Sequence, residues 1–551
     1  MLHRRAFFGS MFAAGFARSA EAHCDLLIRG GRIVDGTGNP WFTGDLAITG
    51  TRIAAVGRAL SLAAKSTIDA TGLVVAPGFI DIHSHSDTLL LEDGRAESKI
   101  RQGVTLEVLG EGPSAGPSKG RLRPAKFGPH EWSTLGGYFD AIDKAGVSIN
   151  VASYVGLDQV WQCVMGGSFA RPNADQFAEM RTLIDEALTD GAFGLSSQLA
   201  MPPGSLATTD DLVRLCEPLK KRGGLFSTHN RNEGLGVFKA VKEAIAVGER
   251  AGVAVDVIHL KIADRELWGQ MPAVVKLIDD ARRRGVNVQA NVYPYTRGNN
   301  NLSSIVPPWA HEGGRARFLE RLRDPDDRAK MKRDITKGID GWYNHFTAVG
   351  GDWSRMLISG RGTYEGLTMD RVIEVRSKGK DPKPDPLDVL FDVLVEHDGS
   401  VPTVYAHHEE KDMTYAMSQS WCSIGSDGSA YSIEGPLRRG NPHPRNFGTF
   451  PRVLGQYVRE KGVLKLEDAV RKMTSLNAAR LGLADRGTLR PGAIADVTIF
   501  DPDRVIDHST YEKPFAYPSG IERVIVNGTP VLEPGGKHTG AKPGRSIRRG
   551  K

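Results

Sequence analysis

His83 and His85 stand two residues apart at the end of an apolar run, 78–82, within the stretch APGFIDIHSHSD. Side chains two apart on an extended strand share a face, so both imidazoles aim at one point, with Asp81 behind them on the same face. Neutral imidazole is a common ligand for zinc and related metals. Such a pair also occurs as two structural histidines, so what decides is whether other strands end in ligands. Further strand-like runs end in Glu111 (LGEG), His229 (STHN), His259 (IHLK), Tyr293 (YPY) and Asp427 (GSDG). Four histidines and two carboxylates therefore arrive at strand ends. A mixed His/carboxylate set is a hydrolytic metal site rather than a closed cysteine cage. A metal there would lower the pKa of a water and polarise a carbonyl. Asp427 is not embedded in basic sequence, and as general base it would take the water's proton and return it to a leaving amine.

The elements that must position these groups alternate. Strand-like runs at 78–82, 104–110, 148–156, 192–197, 224–230, 253–261, 286–295 and 423–427 are separated by helical stretches at 177–188, 210–222, 237–251 and 272–284. Eight such strands predict an α/β fold, a (β/α)8 TIM barrel, whose active site forms at the C-terminal strand ends. Residues 296–422 exceed what a connection needs. Charged helices at 316–337, a Pro-rich linker at 381–386 and a strand leading to His407 and His408 predict an insertion at about 300–410. Both chain ends read as short strands. Residues 26–28 and 32–35 are expected as two strands about Gly30-Gly31, 45–48 and 52–57 as a hairpin, and 495–500 and 521–526 as strands, the last turning at Asn527-Gly528. They predict a small β-sandwich from residues 23–76 and 485–551, with the barrel over 77–484.

Composition narrows the function classes. The chain has 551 residues, 40% hydrophobic and 25% charged, enough for a large core. Its net charge of +6 is scattered, without an aromatic-studded basic stripe, which argues against nucleic-acid binding. No apolar run after the N-terminus reaches the ~20 residues of a membrane helix. The four cysteines, Cys24, Cys163, Cys216 and Cys422, are too sparse for a disulfide framework and read as buried thiols. Residues 1–22 read as a signal peptide, with Arg4-Arg5-Ala6-Phe7-Phe8 similar to a twin-arginine signal and Ala20-Glu21-Ala22 as cleavage site. The expected location is the periplasm. No nucleophile elbow accompanies the strand ends and no phosphate loop occurs, which disfavours a serine hydrolase or a nucleotide enzyme.

The opening motif, Thr228-His229-Asn230-Arg231-Asn232-Glu233, Ile258-His259-Leu260-Lys261, Tyr293-Pro294-Tyr295 and Ile424-Gly425-Ser426-Asp427-Gly428 resemble the amidohydrolase superfamily, and more narrowly its N-acyl-D-amino-acid deacylases (D-aminoacylases). Residues 98–105, 191–196 and His443-Pro444-Arg445 extend the likeness over nearly all of the mature chain. The resemblance implies a barrel on a small β-sandwich, one or two zinc ions, and hydrolysis of the amide of a small N-acyl amino acid. It implies His229 and His259 as ligands of a tightly held zinc, His83 and His85 as ligands of a weaker second metal, Asp427 as ligand and general base, and Lys261, Tyr293 and Arg438 as holders of the substrate carboxylate. Cationic and phenolic donors suit that task.

One departure stands out. The family's deacylases carry a metal-binding Cys in a Gly-Asn-Cys-Gly turn, whereas this chain has Gly110-Glu111-Gly112-Pro113. Glu111 could bridge two metals through its two oxygens, and as a harder ligand it makes Mn2+ or Co2+ more plausible beside Zn2+. No lysine ends the fourth strand, so a carbamylated bridge is not expected. A cyclic-amide hydrolase, dipeptidase or deaminase on the same scaffold, and a decayed non-catalytic homologue, stay open at this point.

Overall fold

The computed structural model describes residues 23–550; the expected signal peptide lies outside them. Each of the eight expected runs contains a strand. These are Phe79–Asp81, Val104–Leu109, Asn150–Ser153, Gly194–Gln198, Leu225–His229, Ala254–Val257, Val288–Val292 and Cys422–Ile424. Nearly all their residues are buried, the mark of strands covered on both faces. All pair in parallel. The first three form one ladder, and Val155–Gly156, just beyond the third, opens a second that runs through the remaining five in order. A parallel bridge between Ser84 and Gly428 joins the exit of the last strand to that of the first.

Helices fill the crossovers. Val237–Ala251 buries Val237, Val241, Ala244, Ile245 and Gly248, a stripe at helical spacing. Gly248 permits close approach to the sheet, since a Cβ there would meet Val255 Cγ2 at 2.2 Å. The single helix expected at 210–222 is two, Thr209–Leu215 and Glu217–Arg222. Pro218, in the first turn of the second helix, has no N–H with which to continue the first helix's bonding across the break at Cys216.

Within the expected insertion, Pro402–Tyr405 pairs antiparallel with both Gly298–Asn301 and Met356–Ile358. This segment has its own apolar cluster, including Leu302, Met356, Phe391 and Leu394.

Strands from the two chain ends share one nine-stranded sheet. Val74–Pro77 stitches them together, parallel to His23–Ile33 and antiparallel to Val497–Phe500. The two short strands expected about Gly30-Gly31 are one strand, His23–Ile33, with an irregular register between Ile28 and Gly31. Gly30 adopts φ +68° there and donates its N–H to Asp45 Oδ1 at 2.9 Å, so the kink is absorbed without breaking the strand. All four cysteines are free and buried. Among the described residues no helix is long and apolar enough to cross a membrane.

Candidate metal centre and active cavity

The parallel strands are short, and all but one of the functional side chains lie just beyond them. His83, His85, Glu111, His259 and Asp427 all follow the last paired residue of their strands, and His229 is the last residue of its own. His259 and Asp427 adopt φ of +40° and +52°. Residues other than glycine rarely occupy this region, and when they do the surroundings must enforce it. Asn291 enforces it at His259, its Oδ1 accepting the His259 N–H at 2.9 Å while its Nδ2 donates to Asp256. At Asp427 the backbone N–H donates to the His83 carbonyl at 2.9 Å. Asp81 stays outside the ligand set. It accepts hydrogen bonds from Lys99 Nζ at 2.7 Å and the Ser426 N–H at 2.8 Å, tying the first strand to the last beneath the site.

Glu111 is the centre of the constellation. Its Oε2 lies 2.6 Å from His83 Nε2 and 3.1 Å from His85 Nε2; its Oε1 lies 3.0 Å from His229 Nδ1 and 3.8 Å from His259 Nε2. Asp427 Oδ1 is 2.9 Å from His85 Nε2 and 3.6 Å from His83 Nε2. Two donor groups result, His83/His85/Glu111/Asp427 and Glu111/His229/His259, each with ligand atoms within 4.8 Å of one another and with Glu111 common to both. The electrostatics fit a cation. Burial alone would raise Glu111 and Asp427, yet His83 and its neighbours hold Glu111 well below the usual carboxylate range, and Arg445 with the histidines does the same for Asp427. Burial opposes charge on His85 and His259, but the carboxylates win, pushing them up to about 10 and about 9. Burial wins at His83, which is lowered, so the positive charge that the carboxylates favour gathers at His85 and His259.

A cavity of about 430 Å3 opens over this centre, walled by His85, Glu111, His229, His259, Asp427 and Arg445, with Asn299, Arg361 and Arg439 farther out. Arg438 is placed differently from expectation. It is exposed, stacks over Phe515 at 4.6 Å and is not part of the cavity wall. The loop after Asp427 turns the next residue inward instead, and Arg439 pairs with Glu92 at 3.1 Å. The cation beside the centre is Arg445, buried, with Nη1 2.7 Å from Asp427 Oδ2 and its guanidinium 5.0 Å over the Tyr293 ring. Lys261 and Tyr293 flank a very small cavity behind His259 rather than the main one. Lys261 Nζ contacts Glu233 Oε1 at 2.5 Å and His259 Nδ1 at 2.6 Å. Glu233 and Arg445 are the functional candidates that strand-end reasoning missed, because Glu233 sits in the loop after its strand and Arg445 opens the helix Arg445–Arg452. The signal was present in the THNRNE and HPR motifs, where a carboxylate and a guanidinium follow a histidine.

Parallel strands carrying four histidines, a shared carboxylate and an aspartate at their C-terminal ends define a metal-dependent hydrolase of mixed α/β fold. An amidohydrolase family model matches residues 430–532. The D-aminoacylase of Alcaligenes xylosoxydans xylosoxydans is 34% identical over 95% of this chain and 98% of its own, and the N-acyl-D-glutamate deacylase of that organism is 34% identical over 95% and 96%. A crystal structure of N-acyl-D-glutamate deacylase from Bordetella bronchiseptica with zinc and a phosphonate inhibitor superposes with a TM-score of 0.78 at 31% identity, covering 96% of this chain and 100% of that one. A D-aminoacylase structure gives 0.78 at 32% over 96% and 100%. The chain belongs to the N-acyl-D-amino-acid deacylase (D-aminoacylase) family of the amidohydrolase superfamily.

Proposed function

We propose that this protein is a metal-dependent amidohydrolase that cleaves the N-acyl amide bond of an N-acyl-D-amino acid, a carbon–nitrogen bond other than a peptide bond. The observation that carries the reading is the single carboxylate, Glu111, shared by two histidine groups at the floor of a cavity that also presents Asp427 and Arg445. Full-length identity to D-amino-acid deacylases supports it over the cyclic-amide hydrolase, dipeptidase, deaminase and decayed-site readings. We read the parallel strands, linked through Ser84 and Gly428, as a (β/α)8 barrel over 77–484 with the insertion at about 300–410, and the nine-stranded terminal sheet as the β-sandwich unit of 23–76 and 485–551. Export to the periplasm rests on the Arg4-Arg5 segment.

His229, His259 and one oxygen of Glu111 would hold one zinc ion; His83, His85, Asp427 and the other oxygen would hold a second, with Mn2+ or Co2+ also suited to the carboxylate. When bound, the metal polarises the amide carbonyl and lowers the pKa of the attacking water. Asp427, kept ionised by Arg445 and the imidazoles, accepts the water's proton and delivers it to the departing amine. Arg445 offers its remaining donors to the substrate carboxylate, and the Tyr293 ring beneath it fixes the plane of that fork. Tyr293 and Lys261 support this corner from behind His259. The insertion, through Asn299 and Arg361, closes the outer side of the cavity.

Assay of N-acetyl-D- and N-acetyl-L-amino acids, with metal content measured on the same sample, tests the reading. Release of free D-amino acid by metal-loaded protein is expected. Turnover of cyclic amides or release of ammonia without deacylation would overturn it.

A further inference from the structure

Glu233 occupies the far side of the metal centre from Glu111. It follows His229 by four residues and is buried, and its backbone carbonyl accepts the Ala263 N–H at 2.7 Å, which pins the loop after His229 to the loop after His259. Its Oε1 lies 3.1 Å from His259 Nδ1, and its Oε2 lies 3.5 Å from His229 Nε2. His229 Nε2 is buried and forms no hydrogen bond, and Glu233 Oε2 at 3.5 Å stands at ion-pair distance from it. Each imidazole is thus held between two carboxylates, Glu111 before it and Glu233 behind it.

Imidazole chemistry gives this arrangement its meaning. A ring nitrogen that binds a metal must present its lone pair, so the other nitrogen must carry the proton. The nitrogens facing Glu111 are Nδ1 of His229 and Nε2 of His259. The nitrogens that must then be N–H donors are His229 Nε2 and His259 Nδ1, and both face Glu233. Lys261 Nζ, close to His259 Nδ1, would by itself favour the opposite tautomer by donating to that nitrogen. The Glu233 carboxylate provides an acceptor for both and takes Lys261 as its counter-ion.

From this geometry we infer that Glu233 is a positioning residue: one carboxylate that selects the metal-binding tautomers of His229 and His259 together and fixes both rings, with Lys261 neutralising it. The inference rests on the metal-site reading above, but its test does not depend on the substrate. Glu233→Gln keeps size and removes the charge; Glu233→Asp keeps the charge and withdraws it by one methylene. Zinc-loaded wild-type and variant proteins are mixed with a chromogenic chelator and the rate of zinc release is followed, with circular dichroism recording that each remains folded. Loss of such an outer carboxylate typically weakens metal binding ~10–100-fold, so Glu233→Gln should release zinc faster by that order, with Glu233→Asp between it and wild type. Cobalt-loaded Glu233→Gln should also show a shifted visible spectrum. Folded Glu233→Gln that releases zinc at the wild-type rate, with an unaltered cobalt spectrum, would overturn the inference. Absence of deacylase activity in all of these proteins would instead bear on the proposed reaction.

Discussion

At the scale of single residues, Asp427 and Arg445 act as a pair. Asp427→Asn removes the base while keeping an oxygen donor, so kcat should fall by ~10²–10⁴-fold with metal retained; unchanged turnover would end the general-base role. Arg445→Met should do two things. It removes the fork offered to the substrate carboxylate, raising KM, and it removes the cation that helps hold Asp427 low. The Asp427 carboxyl of the variant should then titrate at higher pH, and the acid limb of kcat/KM against pH should move upward relative to wild type. Arg438→Ala should leave KM unchanged, because its guanidinium lies on Phe515. The metal-facing groups were legible from the sequence because a strand end is a predictable place. His83, His85, Glu111, His229, His259 and Asp427 each close an apolar run, and the structure brings them together. The arginine was not legible in the same way. The family resemblance favoured Arg438, but the path of the chain after Asp427 decides which of Arg438, Arg439 and Arg445 turns inward, and no periodicity encodes that path.

At the scale of elements, the helix Thr209–Leu215 shows how local rules survive a misread boundary. Thr208 and Asp211 form a capping box, and the buried Asp211 carboxylate also pairs with Arg171. Asp211→Ala should cost about 1–3 kcal/mol in denaturant unfolding at pH 7. Burial would raise the Asp211 carboxyl, but Arg171 and Thr208 lower it in the folded protein. Its contribution is therefore complete above the unfolded value of about 4 and is lost as pH falls below it. The gap between wild type and variant should narrow between pH 5 and pH 2 (about the range over which a lowered carboxylate titrates); a constant gap would mean that packing rather than ionisation is at stake. Helix periodicity located 237–251 to the residue, whereas the continuous helix read over 210–222 ignored what Pro218 does to a first turn. The kink at Gly30 was likewise read as a turn, because Gly-Gly in sequence does not distinguish a bulge held by Asp45 from a reversal.

At the scale of the molecule, the last residues work as a strap. Gly544 donates to the Val147 carbonyl, Ile547 to Val151 and Arg549 to Gly191, while the Arg545 carbonyl accepts from the Val151 N–H. Arg548 pairs with Asp140 at 2.5 Å. Ending the chain after Ala541 removes these bonds from beside the third parallel strand and should lower stability by about 2–4 kcal/mol, read as a drop in Tm; an unchanged Tm would show the strap to be superficial. Short strands at both chain ends were legible and read as one β-sandwich, but their sharing of one sheet through Val74–Pro77 was not, since partner choice in a sheet depends on contacts hundreds of residues apart.

The bridge between Ser84 and Gly428 has a polymer-physics consequence. These residues are 344 apart in sequence, and the ligands on either side of them, His83, His85 and Asp427, belong to opposite ends of that span. A cation gripped by both sides is a cross-link closing a very large loop. By chain entropy alone a permanent bond of that span is worth ~5–6 kcal/mol, and a tight metal approaches it as occupancy rises. Metal removal should therefore act like cutting a clasp: amide hydrogen exchange at 83–85 and 426–428 should accelerate before it does in the inner strands 225–229 and 254–257. Uniform acceleration would mean that the first and last strands hold together without it.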